Sequence, residues 1–109
     1  MYAREVSIRL KSSMLNDFNK TFEQEVLPML RKHKGFRDEI TFFSPKTNDV
    51  VATSLWNSQE EAEAYNTAGY PEVLKLLSKT FDGTPSVRTF EVISSTLHKV
   101  APINATVAA

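Results

Sequence analysis

The sequence predicts an α+β fold of the ferredoxin-like type, with the element order β-α-β-β-α-β. Residues 4–10 alternate between apolar and polar side chains, which is the period of a strand, and a helical stripe of apolar residues follows. Two strand-like runs around a short turn come next, and then a second helical stripe and a last strand. Right-handed crossovers would give an antiparallel four-stranded sheet of order 4-1-3-2, with both helices on one face.

The first helix is predicted at about residues 13–33, directly after the strand Arg4–Leu10. Its apolar residues recur at spacings of three and four: Leu15, Phe18, Phe22, Val26, Met29 and Leu30. Pro28 removes a backbone hydrogen bond inside this stripe, so we expect a kink near Gln24–Pro28. Ser12 or Ser13 would cap the start of the helix, and Gly35 would supply the left-handed cap at its end.

The second and third strands are predicted at Phe36–Ser44 and Val50–Trp56, as a hairpin. The residues between them, 45–49, include Pro, Asn and Asp, which are typical of turns. After Trp56, Ser58 and Glu61 have the spacing of a capping box, in which each side chain satisfies a backbone N–H at the start of a helix.

The second helix is predicted over residues 58–66, with an interruption at residues 67–69 and a restart at Tyr70. Its continuation carries an inward stripe comprising Val73, Leu74, Leu77 and Phe81. Residues 82–85 would end it, and the fourth strand would span Val87–Ser95. On that strand we expect Glu91 to pair with Arg9 or Arg4 on the neighbouring first strand.

Composition predicts one domain, residues 1–97, with a tail at residues 98–109 that is either flexible or packed on a partner. The 13 basic and 13 acidic residues balance, which argues against nucleic-acid binding. The chain has no cysteine and two distant histidines, so we expect no metal site and no cofactor. Without a signal segment or an apolar run of membrane-spanning length, we expect a cytoplasmic protein.

Apolar residues lie on both faces of three predicted strands, which indicates that both faces are covered. Ile40 and Phe42 alternate with Phe43 on the second strand, and Val51 and Leu55 alternate with other apolar residues on the third. Helices cover only one face in this fold, so a monomer would present polar residues on the other. We therefore expect a homodimer through the sheet faces.

The passages Phe22–Leu30 with Gly35–Asp38, and Ser54–Ala62 with Tyr65, resemble the antibiotic biosynthesis monooxygenase-like (ABM) domains. The resemblance covers about residues 4–97 and implies a small dimeric α/β barrel. The family includes cofactor-free quinone-forming monooxygenases, haem-degrading enzymes and members of unknown role.

Two departures from the family patterns weaken both chemistries that the resemblance implies. The quinone-forming type uses an Asn on the third strand before its Trp; Trp56 matches that Trp, but residues 50–55 contain no Asn. The haem-degrading type uses an Asn on the first strand, a Trp on the second helix and a His further along that helix. Here Ser7 or Ile8 stands at the first position and Tyr65 at the second, and no His lies between Tyr65 and Phe81.

The candidate catalytic residues are Trp56, Tyr65 and His33, and the candidate substrate-binding residues are Phe22, Phe43, Tyr70 and Arg88. The aromatic side chains would wall an apolar pocket, the indole N–H and phenol O–H would donate to a substrate oxygen, and Arg88 or Arg37 would hold its anion. Each aromatic residue also has the simpler interpretation of core packing. The remaining histidine, His98, is expected near the end of the last strand.

Three functions remain open on the sequence. The first is a cofactor-independent monooxygenase that acts on an aromatic or polyphenolic small molecule. The second is a dimer that binds a small aromatic or hydrophobic molecule without catalysis, and the third is a haem-binding or haem-degrading protein. We rank them in that order.

Overall fold

The computed structural model describes residues 1–101 and contains a four-stranded sheet. The strands are β1 (Tyr2–Leu10), β2 (Phe36–Ser44), β3 (Asp49–Trp56) and β4 (Phe81–Glu91). Their order is β2-β3-β1-β4, and each neighbouring pair is antiparallel. The predicted order 4-1-3-2 and the ferredoxin-like α+β fold are therefore confirmed.

The first helix is divided by a π-helical segment at the place where the sequence predicts a kink. The helix α1 (Leu15–Thr21) continues into the π-helical segment Phe22–Val26 and then into α2 (Leu27–Lys32). The N–H of Leu27 donates to the carbonyl of Phe22, five residues earlier. Pro28 follows directly, and because proline has no N–H it cannot continue the regular pattern of bonds to the fourth residue back.

The caps of the first helix differ in part from prediction. Met14 occupies the N-cap position of α1 without a side-chain hydrogen bond, so neither Ser12 nor Ser13 caps it. Ser13 instead has a positive φ of 65°, within the turn that leads into the helix. The chain leaves α2 through His33, and Gly35 has the predicted left-handed conformation with φ 85°.

The second helical region consists of α3 (Gln59–Ala68) and α4 (Tyr70–Leu77), which meet at Gly69. The predicted cap at Ser58 is confirmed, because the N–H of Glu61 donates to Ser58 Oγ at 3.2 Å. The return contact differs in detail: the Ser58 hydroxyl donates to Glu61 Oε1 at 3.0 Å.

The predicted position of the last strand is wrong by about six residues at its start. Phe81 belongs to β4 and pairs with Leu10, and the strand ends at Glu91 rather than Ser95. Residues 82–85, which are typical of a turn, fit into β4 because it is an edge strand. Pro85 has no N–H to donate, but at an edge no neighbouring strand needs that hydrogen bond. Gly83, with φ 76°, lies where the register with β1 shifts between Ser7 and Arg9.

The helices cover one face of the sheet, and the largest fully buried side chains lie between the two layers: Trp56, Phe18, Val26 and Val50. We call the opposite face the helix-free face. It carries Ala3 and Glu5 of β1 and the residues that pair with them on the neighbouring strands. Three large apolar side chains are exposed there, Phe42 at 56%, Ile40 at 41% and Phe90 at 39%. The alternation read from the sequence thus places an apolar patch on the side without helices.

The start of the predicted tail contacts the sheet. His98 interacts with the carboxylate of Asp38 on β2 and accepts a hydrogen bond from Arg37 Nη2 at 3.3 Å. The rest of the predicted tail, residues 102–109, lies outside the described residues. Over residues 1–101, the helices are too short or too polar to cross a membrane.

Candidate functional site

An apolar cavity lies between the helices and the sheet. Its wall includes side chains from β1, β3, the π-helical segment and the helices α1 to α4, among them Val6, Phe22, Ala52 and Val73. The cavity volume is about 50 Å³, whereas the whole depression, with the solvent at its mouth, encloses about 540 Å³. The inner part holds only a few water molecules, so a larger ligand must occupy the open part as well.

Three polar residues cross the sheet below this cavity, and we call them the polar row: Glu39, Ser54 and Arg4. Ser54 on β3 is the direct cross-strand partner of Glu39 on β2 and of Arg4 on β1. Paired residues project to the same side of a sheet, so all three side chains face the cavity that they line. The row places a carboxyl group, a hydroxyl and a guanidinium side by side on an apolar face.

Arg4 is buried, with 3% of its surface exposed. Its Nη2 donates to Asn66 Oδ1 of α3 at 2.7 Å, and its guanidinium carbon lies 4.0 Å from the ring centre of Tyr70 and 5.4 Å from that of Tyr65. Burial lowers the pKa of Arg4 from its ordinary value. Among residues 1–101 no carboxylate lies within 4.0 Å of the Arg4 guanidinium. The pairing of Glu91 with Arg4 or Arg9 that the sequence predicts is not formed, and Arg9 pairs instead with Asp49 on the helix-free face.

The aromatic wall of the cavity is formed by Tyr65 and Tyr70, with Trp56 behind it. The rings of Tyr65 and Trp56 stack with centres 5.0 Å apart, and those of Tyr65 and Tyr70 are 6.4 Å apart. Burial raises the pKa of Tyr65 to about 12 and also raises the pKa of Tyr70. Both phenols are therefore protonated at neutral pH, and they can donate hydrogen bonds but cannot act as bases.

Glu39 is a half-buried carboxyl group at the other end of the polar row. Burial raises its pKa, and the hydrogen bond that Thr41 Oγ1 donates to Glu39 Oε2 at 2.6 Å opposes that change. A carboxyl group of raised pKa beside an apolar cavity is a common feature of binding and catalytic sites.

Of the predicted catalytic residues, only Tyr65 lines the cavity. Trp56 is fully buried and its Nε1 donates to Ser54 Oγ at 2.9 Å, so the indole N–H has a partner already and does not face a substrate. His33 lies beside Tyr65, with ring centres 5.2 Å apart, and close to Gly69, where an added Cβ would be 2.6 Å from His33 Nε2. This packing requires glycine between α3 and α4.

The predicted substrate-binding residues divide between the two sides of the sheet. Phe22 and Tyr70 line the cavity, whereas Phe43 lines a separate depression beside Leu10 and Asn48. Arg88 pairs in register with Glu5 on the helix-free face, and its guanidinium lies 5.0 Å from the ring of Phe90. In this conformation Arg88 is not positioned to bind a ligand in the cavity.

Arg37 and His98 are also remote from the cavity. Arg37 donates to Asn57 Oδ1 at 3.2 Å and to His98, near the start of β2. Neither histidine is among the residues that line the cavity. Within the described part of the chain, no group of three or more His, Cys, Asp or Glu side chains is arranged to hold a metal ion.

The sequence interpretation missed the polar row. A signal was present, because Arg4 has the same strand phase as Val6 and Ile8, and Glu39 has the same phase as Phe43. A charged residue in phase with the apolar side chains of a strand is buried under the helices unless the strand end is exposed.

No family model matches the sequence, and no curated protein matches it. Solved structures do match the fold. A protein of unknown function from Nitrosomonas europaea has a TM-score of 0.74 at 11% identity, over 90% of this chain and 94% of its own. A proposed antibiotic biosynthesis monooxygenase from Bordetella bronchiseptica has a TM-score of 0.71 at 18% identity, over 85% of this chain and 98% of its own.

A third matching structure contains a ligand. It is a monooxygenase from the gene ActVA-Orf6 of Streptomyces coelicolor in complex with nanaomycin D, with a TM-score of 0.73 at 16% identity, over 90% of this chain and 92% of its own. At such identities the likeness establishes the fold. The protein therefore has the ferredoxin-like fold of the ABM domains, as the resemblance of its sequence motifs implies.

Proposed function

We propose that this protein is a cofactor-independent monooxygenase that acts on a small phenolic aromatic molecule in the cavity between helices and sheet. The observation that carries the proposal is the guanidinium of Arg4, which has no carboxylate partner among residues 1–101, at the wall of an apolar, aromatic-lined cavity. The monooxygenase of the same fold that was solved with nanaomycin D supports it.

The reaction would need few groups from the protein. The positive charge of Arg4 favours the ionised form of a bound phenol or enol, so the proton can leave to water at the cavity mouth. The resulting carbanion gives one electron to dioxygen, and the two radicals combine to a peroxide on the ring carbon. Cleavage of the O–O bond with loss of the remaining C–H proton yields a quinone carbonyl and water. One oxygen atom enters the product and no external reductant is consumed.

The apolar wall serves the same chemistry by excluding water. Phe22, Val73 and Ala52 offer no polar atom beyond the backbone, and the rings of Tyr65 and Tyr70 present flat surfaces for stacking. The Tyr65 hydroxyl stays protonated at neutral pH, so it can donate a hydrogen bond to the substrate oxygen.

Oxygen uptake with a panel of anthrone- and quinol-type phenols tests the proposal. We expect turnover with at least one substrate, and we expect Ala52→Leu, which fills the cavity floor, to abolish it. Ala64→Leu makes the same change on the exposed side of α3 and should retain turnover. Absence of oxygen uptake across the whole panel would contradict the proposal.

A second candidate function is ligand binding without catalysis. It is favoured by the small cavity volume of about 50 Å³, which leaves part of a bound aromatic molecule in contact with water, whereas oxygenation of a carbanion needs a dry site. Titration of Trp56 fluorescence distinguishes the two, because this indole stacks on the cavity residue Tyr65. Binding of aromatic ligands without oxygen uptake would favour this function.

Haem binding is the remaining alternative from the sequence. A haem in the cavity would need an axial ligand there, and neither His33 nor His98 lines it. A haemin titration decides this alternative, because binding to a histidine would shift the Soret band.

We further propose that the protein is a homodimer through the helix-free face. Phe42, Ile40 and Phe90 are exposed there, and the half-buried side chains of Val51 and Leu55 share the surface. A contiguous apolar patch of this kind on a small domain is typical of a protein interface. A second copy would cover it with the same patch, which is the commonest arrangement in homodimers.

A further inference from the structure

We infer that the polar row selects an elongated aromatic ligand with an anionic oxygen at one end and a hydroxyl group at the other. Arg4 would bind the anionic oxygen, and Glu39 would accept a hydrogen bond from the hydroxyl. The inference rests on the part of the proposed function that places an aromatic ligand in the cavity. It adds which end of the ligand lies above β1 and which above β2.

The first step concerns the charge of Arg4. A buried guanidinium is normally paired with a carboxylate, because removal of an ion from water is unfavourable. Here Nη2 donates to the neutral amide of Asn66, and the guanidinium also contacts the side chains of Tyr70 and Tyr65, which are uncharged at neutral pH. A guanidinium has five N–H donors in a planar fork, so donors remain for a carboxylate or phenolate oxygen.

The surroundings of Arg4 also hold it in place. Asn66 fixes one nitrogen from α3, and the ring of Tyr70 lies 4.0 Å from the guanidinium carbon. A side chain that is held from two sides loses little further freedom when a ligand binds, which favours specific recognition. An aromatic acid or phenolate would stack on the tyrosine wall while its oxygen meets the fork.

The second step concerns the opposite end of the row. Glu39 faces the same cavity from β2, and among residues 1–101 its side chain is hydrogen-bonded only to Thr41, which donates to Oε2. The other carboxyl oxygen, Oε1, accepts no hydrogen bond from residues 1–101 and can accept one from a ligand hydroxyl. A second anionic group on the ligand would meet an acidic side chain there and be disfavoured, so the two ends are not equivalent.

The third step is the distance between the two ends. Glu39 and Arg4 lie two strands apart on the same row, which corresponds to roughly 10 Å between their backbones at the usual strand spacing. Between them, Ser54 Oγ accepts from Trp56 Nε1 at 2.9 Å and lies 3.4 Å from the Arg4 carbonyl oxygen, to which it donates. Ser54 is thus occupied by the protein, which leaves the two ends as the recognition points.

Isothermal titration calorimetry with a matched set of three compounds tests the inference. The set is a hydroxynaphthoic acid with its two groups at opposite ends of the rings, the methyl ester of its carboxyl group, and the methyl ether of its hydroxyl group. We expect the ester to bind about tenfold more weakly than the acid, since a charge-assisted hydrogen bond is lost. The ether should also bind more weakly, because Glu39 then has no donor.

Variants assign each preference to its residue. In Arg4→Met the acid and the ester should bind equally, and in Glu39→Gln the preference for hydroxyl over ether should shrink while the preference for acid over ester remains. Arg9→Met is the matched control, because Arg9 lies on the same strand but on the helix-free face. It should keep both preferences. A purely structural role of Arg4 would change all three affinities alike.

Each outcome decides the inference. If Arg4→Met does not fold, the titrations of the unmodified protein still test the inference, because equal binding of the acid and its ester would overturn the role of Arg4. Equal binding of the hydroxyl compound and its ether would overturn the role of Glu39. Oxygen uptake is measured separately: selective binding without uptake contradicts the monooxygenase proposal alone, and uptake without selectivity contradicts the inference alone.

Discussion

Glu39 is a carboxyl group on the apolar side of a sheet, and its burial makes the stability of the fold depend on pH. The folded-state pKa is raised above that of the unfolded chain, so the stabilising effect of its protonation is present at acid pH and is lost as pH rises through the folded pKa. Above its folded pKa the charged carboxylate therefore opposes folding.

We predict that Glu39→Gln raises the melting temperature at pH 7 and has little effect near pH 4. Glutamine keeps the shape and can still accept the hydrogen bond from Thr41, but it carries no charge to desolvate. Thermal unfolding at both pH values measures the change. Glu63→Gln on the exposed side of α3 is the control. An equal shift at both pH values would show that the charge of Glu39 is not responsible.

Tyr65 gives a second prediction at the level of one residue. Because burial raises its pKa to about 12, its protonated form stabilises the fold up to the ordinary tyrosine range, and this contribution is lost as pH rises toward that value. Tyr65→Phe has no ionisable group at this position, so the protein should unfold at a higher pH in an alkaline titration. Circular dichroism and the phenolate absorbance report unfolding and ionisation separately. Tyr2→Phe, at the start of β1, should leave the alkaline transition in place.

The strand phase could have revealed the site residues before the structure. Arg4 shares the phase of Val6 and Ile8, and the period of two allows only the cavity side for all three. What the phase could not reveal is that Asn66 and Tyr70 come to Arg4 from another element. Contacts between distant parts of the chain depend on helix packing, which no local pattern specifies.

At the scale of elements, the start of α3 depends on a side-chain cap. Ser58 accepts from the N–H of Glu61 and donates to its carboxylate. We predict that Ser58→Ala lowers the free energy of unfolding by about 1 kcal/mol. Denaturant unfolding measures this change. Ser12→Ala should have almost no effect, since Ser12 is exposed and does not cap α1. Equal destabilisation by the two substitutions would contradict the role of the cap.

The elements also show where local patterns mislead. Phe81 lies four residues after Leu77, so helical spacing assigned it to the preceding helix, and the residues around Gly83 and Pro85 indicated a turn. In the structure, pairing with the nine-residue strand β1 extends β4 through these residues. An edge strand tolerates proline and a bulge, so the long-range partner outweighs the local signals. The π-helical segment differs, because Pro28 acts locally and its effect was predictable.

At the scale of the whole molecule, the sheet separates two apolar surfaces, one under the helices and one exposed. The covered surface forms the cavity, and the helix-free face leaves Phe42 and Ile40 in contact with solvent. The alternation in β2 and β3 was enough to predict that apolar side chains lie on both surfaces. It could not predict that the cavity is small inside and wide at its mouth, because that depends on the sizes and orientations of side chains from all nine strands and helical segments.

We predict that Phe42→Glu converts a dimer into a monomer. The substitution places a charge at the most exposed large side chain of the patch on the sheet, where a second copy would have to bury it. Sedimentation velocity at micromolar concentration measures the mass. Ala64→Glu, on the exposed side of α3, should leave the mass unchanged. If the unchanged protein sediments as a monomer at these concentrations, the proposed homodimer is wrong.

The bulge in β4 has a consequence for handedness. Gly83 has φ 76°, and a Cβ built there in the L configuration would meet no atom within 4 Å. Space is therefore available, and only the backbone conformation excludes ordinary side chains. A D-alanine, introduced by chemical ligation of two peptide segments, is the mirror image and adopts this φ without strain. It would restrict the unfolded chain and raise stability by about 0.4–1 kcal/mol, whereas L-alanine would lower it. One methyl group of opposite chirality would thus report whether the bulge persists in solution.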